Sequence, residues 1–94
     1  MTTFEQWMDA YEVACAAGSE PFDISCPNCG QRRLRLVFTA GPGSDVGNGT
    51  FWCDHCLTGI GISRAVIPDG SVVRDRSLPP AERTPRIPHV RLVS

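Results

Sequence analysis

The sequence predicts a small α+β protein: an N-terminal helix packed on an antiparallel sheet, with an extended C-terminal tail. Three observations lead there. Apolar residues recur at helical spacing near the N-terminus, alternating runs bounded by turn residues fill the middle, and four prolines crowd residues 77–94. The amphipathic helix is placed in residues 1–20, the β unit in 21–76 and the proline-rich extended tail in 77–94.

The helix begins with Thr3-Phe4-Glu5-Gln6, a capping box with Thr3 as N-cap and Gln6 reaching back from the third helical position. Phe4, Trp7, Met8, Tyr11, Ala14 and Cys15 then form one apolar stripe, while Glu5, Asp9 and Glu12 lie off it. Gly18 is a natural stop. The stripe is expected to pack on the sheet as the main core, with a partner-facing helix as the alternative. Cys15 is read as a small core residue.

Phe22-Asp23-Ile24 reads as a short strand, and residues 31–39 as a longer one. Leu34, Leu36 and Phe38 share one face of it; Arg33, Arg35 and Val37 share the other. Residues 41–49 carry so many glycines that a flexible turn is expected. Thr50-Phe51-Trp52 forms the next strand and Ile60–Ile67 another. Asp69-Gly70 then signals a hairpin into Ser71–Arg74. In the tail, Pro79, Pro80, Pro85 and Pro88 disfavour regular structure, though residues 85–93 suit an extended run along a sheet edge.

Ninety-four residues fit a single domain, and a core this small often needs a metal or disulfide staple. No apolar run is long enough to span a membrane, and the acidic N-terminal segment lacks signal-peptide character, so a cytoplasmic location is expected. Reduced thiols in that compartment favour metal or redox chemistry over disulfides. The net charge of −1 hides an asymmetry. Residues 1–25 hold five acids and no base, whereas residues 26–94 hold nine arginines against five acids. The absence of lysine is read chiefly as codon bias, although guanidinium groups also suit phosphate and carboxylate recognition.

The chemistry concentrates in Cys26-Pro27-Asn28-Cys29-Gly30 and Cys53-Asp54-His55-Cys56. A two-residue spacer lets both sulfurs of a tight turn face one point, while backbone N–H groups of the turn support the thiolates. Gly30 stands where the chain needs positive φ. In the second unit Gly59 comes later, which predicts a looser knuckle. Cys26, Cys29, Cys53 and Cys56 are therefore assigned to one structural Zn2+ ion, with iron as the alternative metal. His55 and His89 are read as surface residues.

With its order of knuckle, hairpin, knuckle and strand, the segment 22–67 resembles the zinc ribbon class. The resemblance rests on CPNCG and CDHC and implies fold and metal more than function. The elongation-factor type of ribbon carries an Asp-Glu pair at its hairpin tip, where this chain has only Asp45 among glycines. A rubredoxin-like second knuckle is also missing.

Four protein thiolates leave no open metal position, and no nucleophile–base pattern or phosphate-cradling loop occurs, so an enzyme is not expected. The leading expectation is a protein-interaction or adaptor module with an unidentified protein partner. The alternative is a nucleic-acid-binding ribbon using Arg32, Arg33 and Arg35, with Phe51 and Trp52 available for stacking. Nothing in the sequence sets the oligomeric state.

Overall fold

The computed structural model describes residues 3–17 and 22–93. Helix α1 (Phe4–Ala17) precedes five strands: β1 (Leu34–Ala40), β2 (Val46–Cys53), β3 (Thr58–Val66), β4 (Val72–Asp75) and β5 (Arg91–Leu92). The expected stop at Gly18 lies outside the described residues. No helix among the described residues is long and apolar enough to cross a membrane.

The capping box forms as the sequence predicts. Thr3 N–H donates to Gln6 Oε1 at 2.9 Å and Gln6 N–H to Thr3 Oγ1 at 3.3 Å. These bonds satisfy two donors that the first turn leaves without helical partners. Trp7, Ala10, Tyr11 and Ala14 bury the inner face, Met8 and Cys15 flank it, and Phe4 stays exposed at the helix start. Two of the stripe's three aromatics, Trp7 and Tyr11, are thus buried in this chain's own core.

That core is centred on Phe51, which is fully buried. Its ring meets Trp7, Tyr11 and Phe22 edge-on at centroid distances of 5.7, 6.0 and 6.4 Å. Such pairs contribute about 0.5–1.5 kcal/mol each beyond the burial of their area. The pairing of Leu36 with Phe51 and of Phe51 with Ile60 lays one apolar row across β1, β2 and β3. Leu34 and Phe38 extend it along β1. Phe22 contributes from an irregular segment, so the short strand expected at 22–24 does not form.

The sheet order is β4-β1-β2-β3-β5. It is mixed rather than antiparallel, because β4 runs parallel to β1 and β5 parallel to β3. The turn at Asp69-Gly70 exists, with Gly70 at φ +83° and Ser71 N–H bonded to Pro68 O, but it closes no hairpin. Ile67 N–H has already bonded Asp45 O in the β1–β2 turn. The chain has therefore moved past β2, and the turn delivers Val72 to the open edge of β1.

Two further expectations need correction. The glycine-rich segment is a turn only up to Asp45, and Val46–Gly49 belong to β2. A Cβ on Gly47 would stand 2.7 Å from that of Ala40, so these glycines serve close strand packing. On the facing strand one extra residue bulges between Ile62 and Ala65, with Arg64 at φ +53°. The tail is also less featureless than its prolines suggest. It makes a single turn at Pro80–Glu82 and returns to the knuckle end of the sheet, where β5 docks on β3.

Candidate metal centre

The register of β1 against β2 brings the two knuckles together. Leu34 pairs with Cys53, so the first knuckle, just before β1, lies beside the second, which turns β2 into β3. Asp54 N–H donates to Arg33 O at 2.8 Å and ties the two loops at their base.

Each knuckle is closed in the same way. Gly30 N–H donates to Cys26 O at 2.9 Å, and Leu57 N–H to Cys53 O at 2.8 Å. The closing residue takes left-handed backbone in both, φ +80° at Gly30 and +54° at Leu57. The second knuckle is therefore not the looser one. It reaches the same geometry with a leucine where glycine is the unstrained choice.

The four Sγ atoms all lie within 4.8 Å of one another. Cys26 Sγ stands 3.7 Å from Cys56 Sγ, and Cys29 Sγ 3.6 Å from Cys53 Sγ. Both separations are far longer than a disulfide bond. They match the edge of a tetrahedron with metal–sulfur bonds of about 2.3 Å, whose corners lie roughly 3.8 Å apart. The donor set fits a thiophilic metal such as zinc.

Electrostatics divide the four sulfurs. Cys26 and Cys53 are buried, and Cys29 and Cys56 half-buried. Burial pushes the Cys26 thiol up to about 12, although the N–H groups of Cys29 and Asn28 work against it at 3.4 and 3.3 Å. Burial likewise raises Cys53, opposed by the N–H groups of Cys56 and His55. At Cys56 burial also acts upward, but hydrogen bonds from Asn28 and Thr58 outweigh it and bring the thiol down to about 6. Asn28 Nδ2 reaches across to Cys56 Sγ at 3.5 Å. Nothing in the sequence signals that contact, since residue 28 reads only as a knuckle spacer.

No protein-family model, curated protein or solved structure matches this chain. Among the described residues, the four-cysteine centre is the one group of three or more potential ligands close enough to hold a metal.

The residues expected to meet nucleic acid are placed differently. Arg32 pairs with Asp23 at 2.7 Å, both side chains largely exposed. Arg35 stands 3.9 Å from Asp54, its guanidinium 5.6 Å from the centre of the Trp52 ring. Arg33 is exposed. Trp52 is fully buried and donates from Nε1 to Asp54 Oδ1 at 3.3 Å, so its ring has no face open for a base. Phe51 is equally buried in the main core.

Nothing in the sequence signals the hollow at this end of the molecule. A cavity of about 480 Å³ lies against the second knuckle, lined by Asn28, Cys56, Leu57, Thr58, His89 and Arg91. The tail forms one wall because Arg91 N–H donates to Leu57 O at 2.9 Å and Val93 N–H to Gly59 O at 2.8 Å. His55 is exposed, and His89 is exposed at the cavity wall.

Proposed function

We propose that this chain is a zinc-ribbon-type protein-interaction module in which one structural zinc staples the sheet that meets the partner. The carrying observation is the tetrathiolate: four cysteines from two matched knuckles, spaced as a tetrahedral metal requires. Four protein thiolates fill the coordination sphere and leave no position for water or substrate, which favours a binding role over catalysis.

The interaction reading now draws on the sheet rather than the helix, whose aromatic face is buried. Both outer strands are short, four residues in β4 and two in β5, and each leaves an outer edge for an added strand. Val73 on β4 and Leu92 on β5 are exposed beside those edges. The nucleic-acid reading has less support, because Arg32 and Arg35 already face carboxylates and Trp52 is enclosed.

Proline substitution at Val73 in the zinc-loaded protein tests the sheet-edge reading, with partners captured by the full chain as readout. Capture that is lost on Val73→Pro while zinc content is kept supports it. Capture unaffected by proline on β4 and on β5 would remove the edges from the reading. Salt-dependent nucleic-acid binding weakened by Arg32→Ala and Arg35→Ala would favour the alternative.

A further inference from the structure

We infer that the cavity between the second knuckle and the C-terminal tail is a binding site for a carboxylate monoanion. Its lining supplies the Arg91 guanidinium, a ring N–H of His89 and the second N–H of the Asn28 amide as donors, while the Thr58 hydroxyl already donates to Cys56 O. No aspartate or glutamate lines it. Among the described residues, Arg91 and His89 make no side-chain hydrogen bond or ion pair, whereas Arg32, Arg74 and Arg83 each have an acceptor. A cation and further donors lining one concave space suit an anion.

The scaffold fixes this arrangement. Backbone bonds from Arg91 to Leu57 and from Val93 to Gly59 hold β5 against β3, so Arg91 is presented from a strand. Asn28 is held in place by its bond to Cys56 Sγ. Leu57, 40% exposed and fixed in its left-handed conformation, supplies an apolar wall. A cavity of about 480 Å³ admits a ligand the size of a capped amino acid. The site thus selects a carboxylate carried on a short apolar group.

The class of anion follows from the neighbouring centre, and this step rests on the zinc reading. A zinc ion with four thiolates carries a net charge of about −2. Cys56 forms part of the cavity wall, so that charge lies close to any ligand. The attraction of Arg91 and the repulsion of the zinc centre both grow in proportion to ligand charge, whereas the cost of leaving water grows with its square, so a dianion such as phosphate is disfavoured relative to a carboxylate. Monoanions are therefore favoured.

The test is an amide-resolved NMR titration of the full-length, zinc-loaded protein at constant ionic strength. The probes are N-acetyl-leucine, its uncharged carboxamide and inorganic phosphate. N-acetyl-leucine should give saturable shifts at Asn28, Thr58 and Arg91, the carboxamide none, and phosphate binding at least about tenfold weaker. Arg91→Gln should weaken N-acetyl-leucine about tenfold or more, and Arg86→Gln, which lies outside the cavity lining, should leave it unchanged. Absence of saturable shifts, equal binding of the carboxamide or of phosphate, or full binding by Arg91→Gln would overturn the proposal. Metal content measured on the same sample separates failure of the zinc reading from failure of carboxylate binding.

Discussion

Leu57 occupies in the second knuckle the backbone position that Gly30 holds in the first. Both residues have positive φ, +54° and +80°, and both close their turn by donating to the carbonyl of the leading cysteine. A left-handed backbone costs a residue with a Cβ about 1–2 kcal/mol, so the second knuckle carries strain that the first avoids.

Leu57→Asn should therefore stabilise the zinc-loaded protein by up to about 1 kcal/mol, because asparagine tolerates this region and adds little backbone freedom to the unfolded chain. Gly30→Ala should destabilise by about 1 kcal/mol; nothing lies within 4 Å of the added methyl, which leaves backbone strain as the cause. Urea denaturation of both variants checks the pair. A Leu57→Asn midpoint below that of the parent would contradict the strain argument.

Phe51→Ala should destabilise by about 3–5 kcal/mol, since it opens a cavity among Trp7, Tyr11 and Phe22 at once. Phe4→Ala, at the exposed end of the stripe, should change stability by no more than about 0.5 kcal/mol. Equal effects would mean that the helix is not anchored through Phe51.

That contrast also shows what the sequence made legible. Helical spacing, the capping box and the alternation of Leu34, Leu36 and Phe38 are local signals, and each matches the structure. The paired cysteines were legible because a knuckle encodes its own geometry. The partners of β4 and β5 were not. Asp69-Gly70 gives a turn, but whether Val72 returns to β3 or crosses to β1 depends on the distant bond from Ile67 to Asp45. Trp52 was misleading for a related reason. Its neighbours across the sheet, Arg35 and Gly59, are set by register, and a buried indole beside a guanidinium looks in sequence like an exposed aromatic among arginines.

Gly59→Ala should impair folding more than any exposed substitution. An added Cβ would collide with the carbonyl oxygen of Phe51 and lie 2.6 Å from Trp52 Cα, and backbone cannot yield as a side-chain tip can. A destabilisation of about 1–3 kcal/mol or more is expected, read as a lower denaturation midpoint. A midpoint equal to the parent's would contradict the close approach of β3 to β2.

Acidity should weaken the metal-loaded form. Bound zinc would hold its cysteines as thiolates and depress their folded pKa values below the ordinary 9.0. Their contribution is complete above that value and is lost as the pH falls, so zinc affinity and loaded-state stability should both decline on acidification. Because the metal-free chain starts unfolded, with its thiols near the ordinary 9.0, zinc binding at pH 7 should release close to four protons per chain. Calorimetry in buffers of different ionisation enthalpy measures that number, and a value well below four would mean that the fold, with Cys56 at about 6, persists without metal.

The most direct test of the metal centre is elemental analysis of the purified full-length protein, followed by chelation under reducing conditions with circular dichroism as readout. The account predicts about one zinc per chain and loss of the β signal as the metal is withdrawn, because the binding energy of such a site is folding energy. A chain that stays folded with its four cysteines reduced and metal-free would contradict it.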